Sequence, residues 1–228
     1  MTSRTSNRIV GLLAAIAILT VSTLATPALA DEFARWESSI SKFEAQDKEN
    51  PPVEGGVMFI GSSSIRMWKL STSFPELGAV NRGFGGSQIA DSVHFFDRIV
   101  MPHKPRLIVM YAGDNDIASG KTPERVAEDF RSFTKLIDEK LPETRLVFVS
   151  IKLCKSRWSK RELVNAANSL IEKQIDCCDR FDYFDPNPHM MDAGGEPRDE
   201  LFLGDRLHLS AEGYKIWNAR IEPLIRKR

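Results

Sequence analysis

The chain has 228 residues, and its 31 lysines and arginines balance 31 aspartates and glutamates. Mixed charge without a basic run excludes a nucleic-acid footprint. Three cysteines, Cys154, Cys177 and Cys178, with no histidine at ligand spacing, argue against a zinc site.

The N-terminus reads as an export signal. Arg4 and Arg8 precede an apolar run from Ile9, and Ala28-Leu29-Ala30 forms a small-x-small cleavage site before Asp31. The run is short for a membrane span, so cleavage is favoured over an uncleaved anchor. Residues 1–30 are thus expected to be a signal peptide and 31–228 one mature domain, periplasmic or secreted and without a stable span after cleavage. The absence of a cysteine at the cut argues against a lipid anchor.

Residues 31–48 follow as an amphipathic helix with Phe33, Trp36, Ile40 and Phe43 at helical spacing, stopped by Asn50-Pro51-Pro52. Residues 56–60 are a buried strand, 63–70 the first turns of a helix, and 79–81 a second strand. A helix is predicted over 88–100 and an apolar strand over 107–112. Thr122 caps a long helix that opens with Pro123. Strand 145–151, helix 157–177, strand 181–184 and a helix capped by Ser210 complete the chain. Five strands alternating with helices predict a parallel sheet covered on both faces. In an exported protein, a disulfide from Cys154 to Cys177 or Cys178 is one option and three free thiols the other.

Four motifs fall near strand ends or before the last helix: Gly61-Ser62-Ser63-Ser64, Asn81-Arg82-Gly83-Phe84-Gly85-Gly86, Gly113-Asp114-Asn115-Asp116 and Asp205-Arg206-Leu207-His208. In open α/β sheets the carboxyl ends of the strands form the ligand edge. Ser63 sits at a strand-to-helix junction, where backbone N–H groups favour a developing anion. His208 suits a general base, and Asp205, three residues earlier, can orient its ring. Ser63, Gly86 and Asn115 are the expected oxyanion donors, because an acyl-transfer intermediate needs N–H groups aimed at its oxygen. His94, His103 and His189 are expected in structural or surface positions. Asp116 is expected in structural hydrogen bonding and Asp114 in solvent, although the pair also invites a metal reading with His208. Trp68, Arg82 and Phe84 either line a substrate pocket or pack.

These four blocks resemble the SGNH hydrolases, the superfamily of GDSL lipases and esterases, over nearly all of 31–228. The resemblance places the family serine on Ser63, the glycine on Gly86, the asparagine on Asn115 and the histidine on His208, with the acid on Asp205. It implies a flavodoxin-like three-layer α/β/α sandwich around a five-stranded parallel sheet, similar to the compact branch related to platelet-activating-factor acetylhydrolases. The usual Gly-Asp-Ser-Leu is here Gly61-Ser62-Ser63-Ser64. The Gly-x-Ser-x-Gly elbow of the α/β-hydrolases is absent.

The expected activity is therefore that of an exported serine esterase, lipase or lysophospholipase-like acylhydrolase, with no cofactor and no metal. Short acyl groups are preferred because little chain is left for a lid. Acetylated carbohydrate and lysophospholipid esters are both open as substrates. The alternative is a non-catalytic glycan- or lipid-binding module on the same fold.

Overall fold

A computed structural model describes residues 32–227. The signal-peptide reading of 1–30 lies outside the described residues. Five strands, β1 (Val57–Gly61), β2 (Val80–Gly83), β3 (Leu107–Tyr111), β4 (Arg145–Val149) and β5 (Phe181–Phe184), form one parallel sheet in the order β2-β1-β3-β4-β5. This is the flavodoxin-like order, with the connections reversing direction between β1 and β3.

Alternation within the strands divides the core. In β3, Leu107, Val109 and Tyr111 face one layer, with Phe59, Trp68, Val147, Trp217 and Ile221. Ile108 and Met110 face the other, with Ile60, Phe130, Phe148 and Ile171. A period of two between two apolar layers is why these strands read as continuous hydrophobic runs.

One face carries α1 (Glu37–Glu49), α7 (Pro123–Lys140) and α8 (Arg161–Ile175). The helix predicted over 88–100 is split into α4 (Ile89–His94) and α5 (Phe96–Ile99). The break falls at Phe95, whose ring meets Phe33, Phe84 and His94. On the opposite face lie α2 (Ser63–Arg66), α3 (Leu70–Ser73) and α9 (Ala211–Arg226). A short helix, α6 (Asp114–Ala118), follows β3 where no element is predicted. Thr122 and Ser210 cap α7 and α9 by accepting from Arg125 N and Gly213 N. Helix α8 begins later than predicted, because 155–160 form a 3-10 segment drawn toward the 199–206 loop by Ser156 N–H donating to Arg206 O and Lys155 to Asp199. Cys154, Cys177 and Cys178 are all free thiols. No helix among the described residues is long and apolar enough to cross a membrane.

Away from the carboxyl edge, a buried charged cluster joins α1 to β2. Arg82 pairs with Asp47 and donates to His103 Nε2 at 2.9 Å, and Asp47 Oδ2 lies 3.1 Å from the same nitrogen. Burial, helped by the Arg82 charge, pushes the His103 pKa below the ordinary imidazole value. The folded state therefore holds the ring neutral more strongly than the unfolded chain does. That stabilisation is complete above the unfolded value of about 6.5 and is lost as pH falls from there toward the lower folded value. Melting temperature should drop between pH 7.5 and pH 5, and His103→Gln should flatten that slope. An unchanged slope in the variant would assign the acid sensitivity to other groups.

Candidate active site

Ser63 opens α2 directly after β1. Its predecessor Ser62 is extended (φ −85°, ψ −159°), so the chain turns sharply from strand to helix and brings the Ser63 side chain to the carboxyl edge. Ser62 N–H donates to Tyr111 O at 3.0 Å, and Ser62 O accepts from Ile65 and Arg66 N–H. Gly61 has φ +135°, and a Cβ there would stand 1.9 Å from Tyr111 O. Only glycine allows the two strand ends to close this far.

His208 and Asp205 come from a tight hairpin between Phe202 and Leu209, which form an antiparallel bridge. Leu203 N–H donates to His208 O at 2.7 Å, and Arg206 N–H to Leu203 O at 2.8 Å. Arg206 takes the left-handed conformation (φ +54°) at the corner. Sequence spacing leaves helix and tight turn both open for this segment, and the turn is what forms.

His208 Nε2 lies 2.9 Å from Ser63 Oγ, and His208 Nδ1 lies 2.6 Å from Asp205 Oδ2. The other Asp205 oxygen accepts N–H bonds from Leu207 and His208, both at 2.9 Å. The His208 ring bond, followed by these backbone bonds, holds the Asp205 pKa down to about 2 although the side chain is 47% exposed. Asp205 thus remains ionised throughout the range in which an imidazole titrates.

Asn115 lies in the first turn of α6, after Gly113 (φ +115°). Its Nδ2 donates to Ser87 O at 3.0 Å, and its Oδ1 accepts from Arg157 Nη2 at 3.0 Å. Gly86 has φ +87° and sits beneath Trp36, whose Cη2 would be 3.2 Å from an added Cβ. The loop bearing Gly86 hangs from β1 by two bonds to Gly61 O, from Phe84 N–H at 2.9 Å and from Ser87 Oγ at 3.2 Å. It is tied to α6 by Ile89 N–H donating to Asp116 at 3.3 Å. Neither Ser63 N–H nor Gly86 N–H donates to a backbone acceptor among the described residues. Ser63, His208, Gly86 and Asn115 thus lie around the β1/β3 switch point.

The pocket reading of Trp68, Arg82 and Phe84 is corrected. Trp68 is 2% exposed, packed on Phe59, Phe74 and Trp217, with its indole N–H donating to Asn218 Oδ1 at 2.8 Å. Phe84 is 1% exposed inside a ring of Trp36, Phe43 and Phe95. Arg82 is held by Asp47 and His103 in the cluster described above. Aromatic packing holds Trp68 and Phe84 inward and ion pairing holds Arg82, although each is close to a motif in sequence.

Asp114 is also corrected. It is buried rather than exposed, 3.3 Å from Lys152 Nζ and 3.2 Å from Arg157 Nη1. These two cations hold its carboxyl below the usual range against the opposing effect of burial. Asp116 is a structural acceptor, engaged by Lys121 at 3.0 Å and by Ile89 N–H. The metal reading of Asp114, Asp116 and His208 loses its ligands to these ion pairs. No group of three or more His, Cys, Asp or Glu side chains arranged for a metal occurs among the described residues. His94 stacks on Phe33, His103 is buried and His189 is exposed, so none reaches Ser63.

Sequence reading misses Arg157, Lys152 and Ser87, all of which bear on Asn115. Lys152 donates to Tyr111 Oη at 2.9 Å and approaches Asp114, which in turn faces Arg157. Lys152 directly after an apolar strand and Arg157 five residues on are the sole local signal, and a solvated loop would show the same one.

The Ser62 and Ser64 hydroxyls are buried without hydrogen-bond partners. Ser62→Ala and Ser64→Ala should therefore leave folding stability unchanged or raise it by about 1 kcal/mol, because each removes an unsatisfied buried hydroxyl. Chemical denaturation of the two variants would check this. A loss of 2 kcal/mol or more, taken as roughly the cost of a broken buried hydrogen bond, would reveal a partner for that hydroxyl.

The profile of the GDSL-like Lipase/Acylhydrolase family matches residues 64–216. Platelet-activating factor acetylhydrolase IB subunit alpha1 of Bos taurus is 26% identical over 190 residues, spanning 79% of this chain and 78% of that protein. A GDSL-like lipase from Bacteroides thetaiotaomicron superposes with TM-score 0.68 at 20% identity, covering 85% of this chain and 96% of the other. An acetylxylan esterase from Geobacillus stearothermophilus superposes with TM-score 0.60 at 15% identity, covering 78% and 96%. The chain belongs to the GDSL-like lipase/acylhydrolase family and is an ester-hydrolysing enzyme.

Proposed function

We propose that this protein is an exported serine esterase for short-acyl esters, acting through Ser63, His208 and Asp205. The observation that carries the reading is the unbroken relay of 2.9 Å from Ser63 Oγ to His208 Nε2 and 2.6 Å from His208 Nδ1 to Asp205. Ser63 attacks the ester carbonyl while His208 takes its proton. The tetrahedral oxyanion is met by Ser63 N–H, Gly86 N–H and the Asn115 amide. His208 returns the proton to the departing alcohol. Water then attacks the acyl-enzyme with His208 again as base, releasing the acid and restoring Ser63. Asp205 holds the imidazole tautomer and stabilises the imidazolium.

Export rests on the layout of residues 1–30. The short-acyl preference draws on two relatives of different kinds. One is named an acetylhydrolase of platelet-activating factor and the other an acetylxylan esterase, so an acetyl group is what their names share. Lipid and carbohydrate alcohols are both compatible with that. The glycan- or lipid-binding alternative has no observation in its favour, since a pure binding module has no need for a serine within bonding distance of a paired histidine.

Fluorophosphonate labelling of the purified protein, followed by peptide mass spectrometry, should place an adduct on Ser63. Labelling should disappear in His208→Ala. On p-nitrophenyl acetate, Ser63→Ala and His208→Ala should each lose about three or more orders of magnitude in kcat, with Asp205→Asn less affected than loss of His208. Asn115→Ala should lose about 10²–10³. The acetate should be cleaved roughly tenfold faster than the decanoate in kcat/KM. An adduct on Ser62 or Ser64, or none on folded protein, would sink the assignment, and a decanoate preference would sink the short-acyl part alone.

A further inference from the structure

We infer that Arg157 is a positioning residue for the reaction, locking the Asn115 amide with its N–H face toward the oxyanion. The inference rests on the reading of Asn115 as an oxyanion donor and adds what keeps that donor in place.

An asparagine amide is nearly symmetric in shape, so packing alone discriminates poorly between its two flipped states. If Asn115 flips, an oxygen replaces the N–H facing the developing oxyanion, and stabilisation becomes repulsion. Two contacts oppose the flip. Ser87 O accepts from Nδ2 at 3.0 Å, and Arg157 Nη2 donates to Oδ1 at 3.0 Å. In the flipped state the guanidinium would face an NH₂ group and Ser87 O would face an oxygen, so both contacts become unfavourable. In the observed state Nδ2 keeps a second hydrogen for the substrate. A cationic donor on Oδ1 also draws electron density from the amide, making that remaining N–H a stronger donor.

Arg157 is itself constrained. Its Nη1 lies 3.2 Å from Asp114 Oδ2, and Asp114 is shared with Lys152 Nζ at 3.3 Å. Lys152 is buried and anchored on Tyr111 Oη at 2.9 Å. Lys152 thereby holds Asp114 from beneath, and the Asp114 charge stands against one end of the guanidinium fork as an ion pair. Arg157 leaves helical geometry within its 3-10 segment (φ −123°, ψ 22°), and Ser156 next to it is bonded to Arg206 in the Asp205–His208 hairpin. Two positive groups face one buried carboxylate, which leaves the cluster with an excess of positive charge behind the Asn115 amide.

The test is a double-mutant cycle of Arg157→Met and Asn115→Ala, read as kcat and KM on p-nitrophenyl acetate and as the fluorophosphonate labelling rate of Ser63. Arg157→Met alone should lower kcat by about 10- to 100-fold, the scale of a misplaced catalytic group, with little change in KM. Arg157→Lys, which keeps one donor, should recover part of the loss. In the Asn115→Ala background, Arg157→Met should cost less than about threefold more, because its route of action is already gone. An equal loss in both backgrounds would overturn the inference, as would an unchanged kcat in folded Arg157→Met. If Arg157→Met does not fold, Arg157→Lys in the two backgrounds decides by the same comparison. Wild-type kcat in Asn115→Ala alone would remove the oxyanion role of Asn115 and the inference with it. An intact Asn115 effect beside an additive Arg157 effect would remove the inference and leave the oxyanion reading standing.

Discussion

The candidate site depends on one backbone junction, the pairing of Gly61 with Tyr111 at the ends of β1 and β3. A Cβ on Gly61 would overlap the Tyr111 carbonyl, so no other residue lets the two strand ends meet this closely. Tyr111 O then receives Ser62 N–H and sets the turn into Ser63. Gly61 O receives Phe84 N–H and the Ser87 hydroxyl, which hangs the Gly86 loop beside that turn. Ser87 O holds Asn115, and the Tyr111 phenol holds Lys152 beneath Asp114. Serine, glycine and asparagine are thus referred to one pair of facing residues. Geometry anchored in this way resists drift, because the sheet that carries it is packed on both faces.

Around the site two carboxylates are kept ionised by opposite means. Asp205 is half exposed and keeps its charge through the His208 ring and two backbone N–H groups. Such an arrangement needs few partners, since water screens whatever they leave uncompensated. Asp114 is buried, where a lone carboxylate would take up a proton instead. Lys152 and Arg157 prevent that. Breaking a buried pair of this kind is expensive, while its net stabilisation is small. A feature that contributes little stability yet is hard to remove piecemeal is better explained by what it orients. Asn115, next to Asp114 and bonded to the same guanidinium, is the group it orients.

Much of the fold was legible because a doubly covered parallel sheet leaves a plain mark. Residues 107–111 read as a strand because their side chains are apolar on both faces, and the turns after β1, β2 and β3 each land a motif at the carboxyl edge. The His208–Asp205 pairing was legible because three residues separate the two. Arg157 was not, since 42 residues separate it from Asn115 and nothing local distinguishes it from a solvated helix start. Trp68, Phe84 and Arg82 misled for the converse reason. Nearness to a motif along the chain says nothing about whether a side chain points to the site or into the core. For Arg82, the deciding partners Asp47 and His103 lie in distant segments. The split at Phe95 escaped notice because the helical period continues through it, while aromatic packing on three sides imposes the break.

The replacement of the usual aspartate by Ser62 is intelligible from the same junction. Everything residue 62 does for its neighbour is done by its main chain: the N–H to Tyr111 O, and the carbonyl to Ile65 and Arg66 N–H. Its side chain is fully buried and bonds to nothing. A carboxylate at that position would require a buried donor, and no partner of the Ser62 hydroxyl is there to supply one. Ser63 keeps its place because strand pairing and helix start fix the backbone on either side of it. Positioning through main-chain bonds tolerates side-chain variation at residue 62 in a way that positioning through a side chain, as at Asn115, does not.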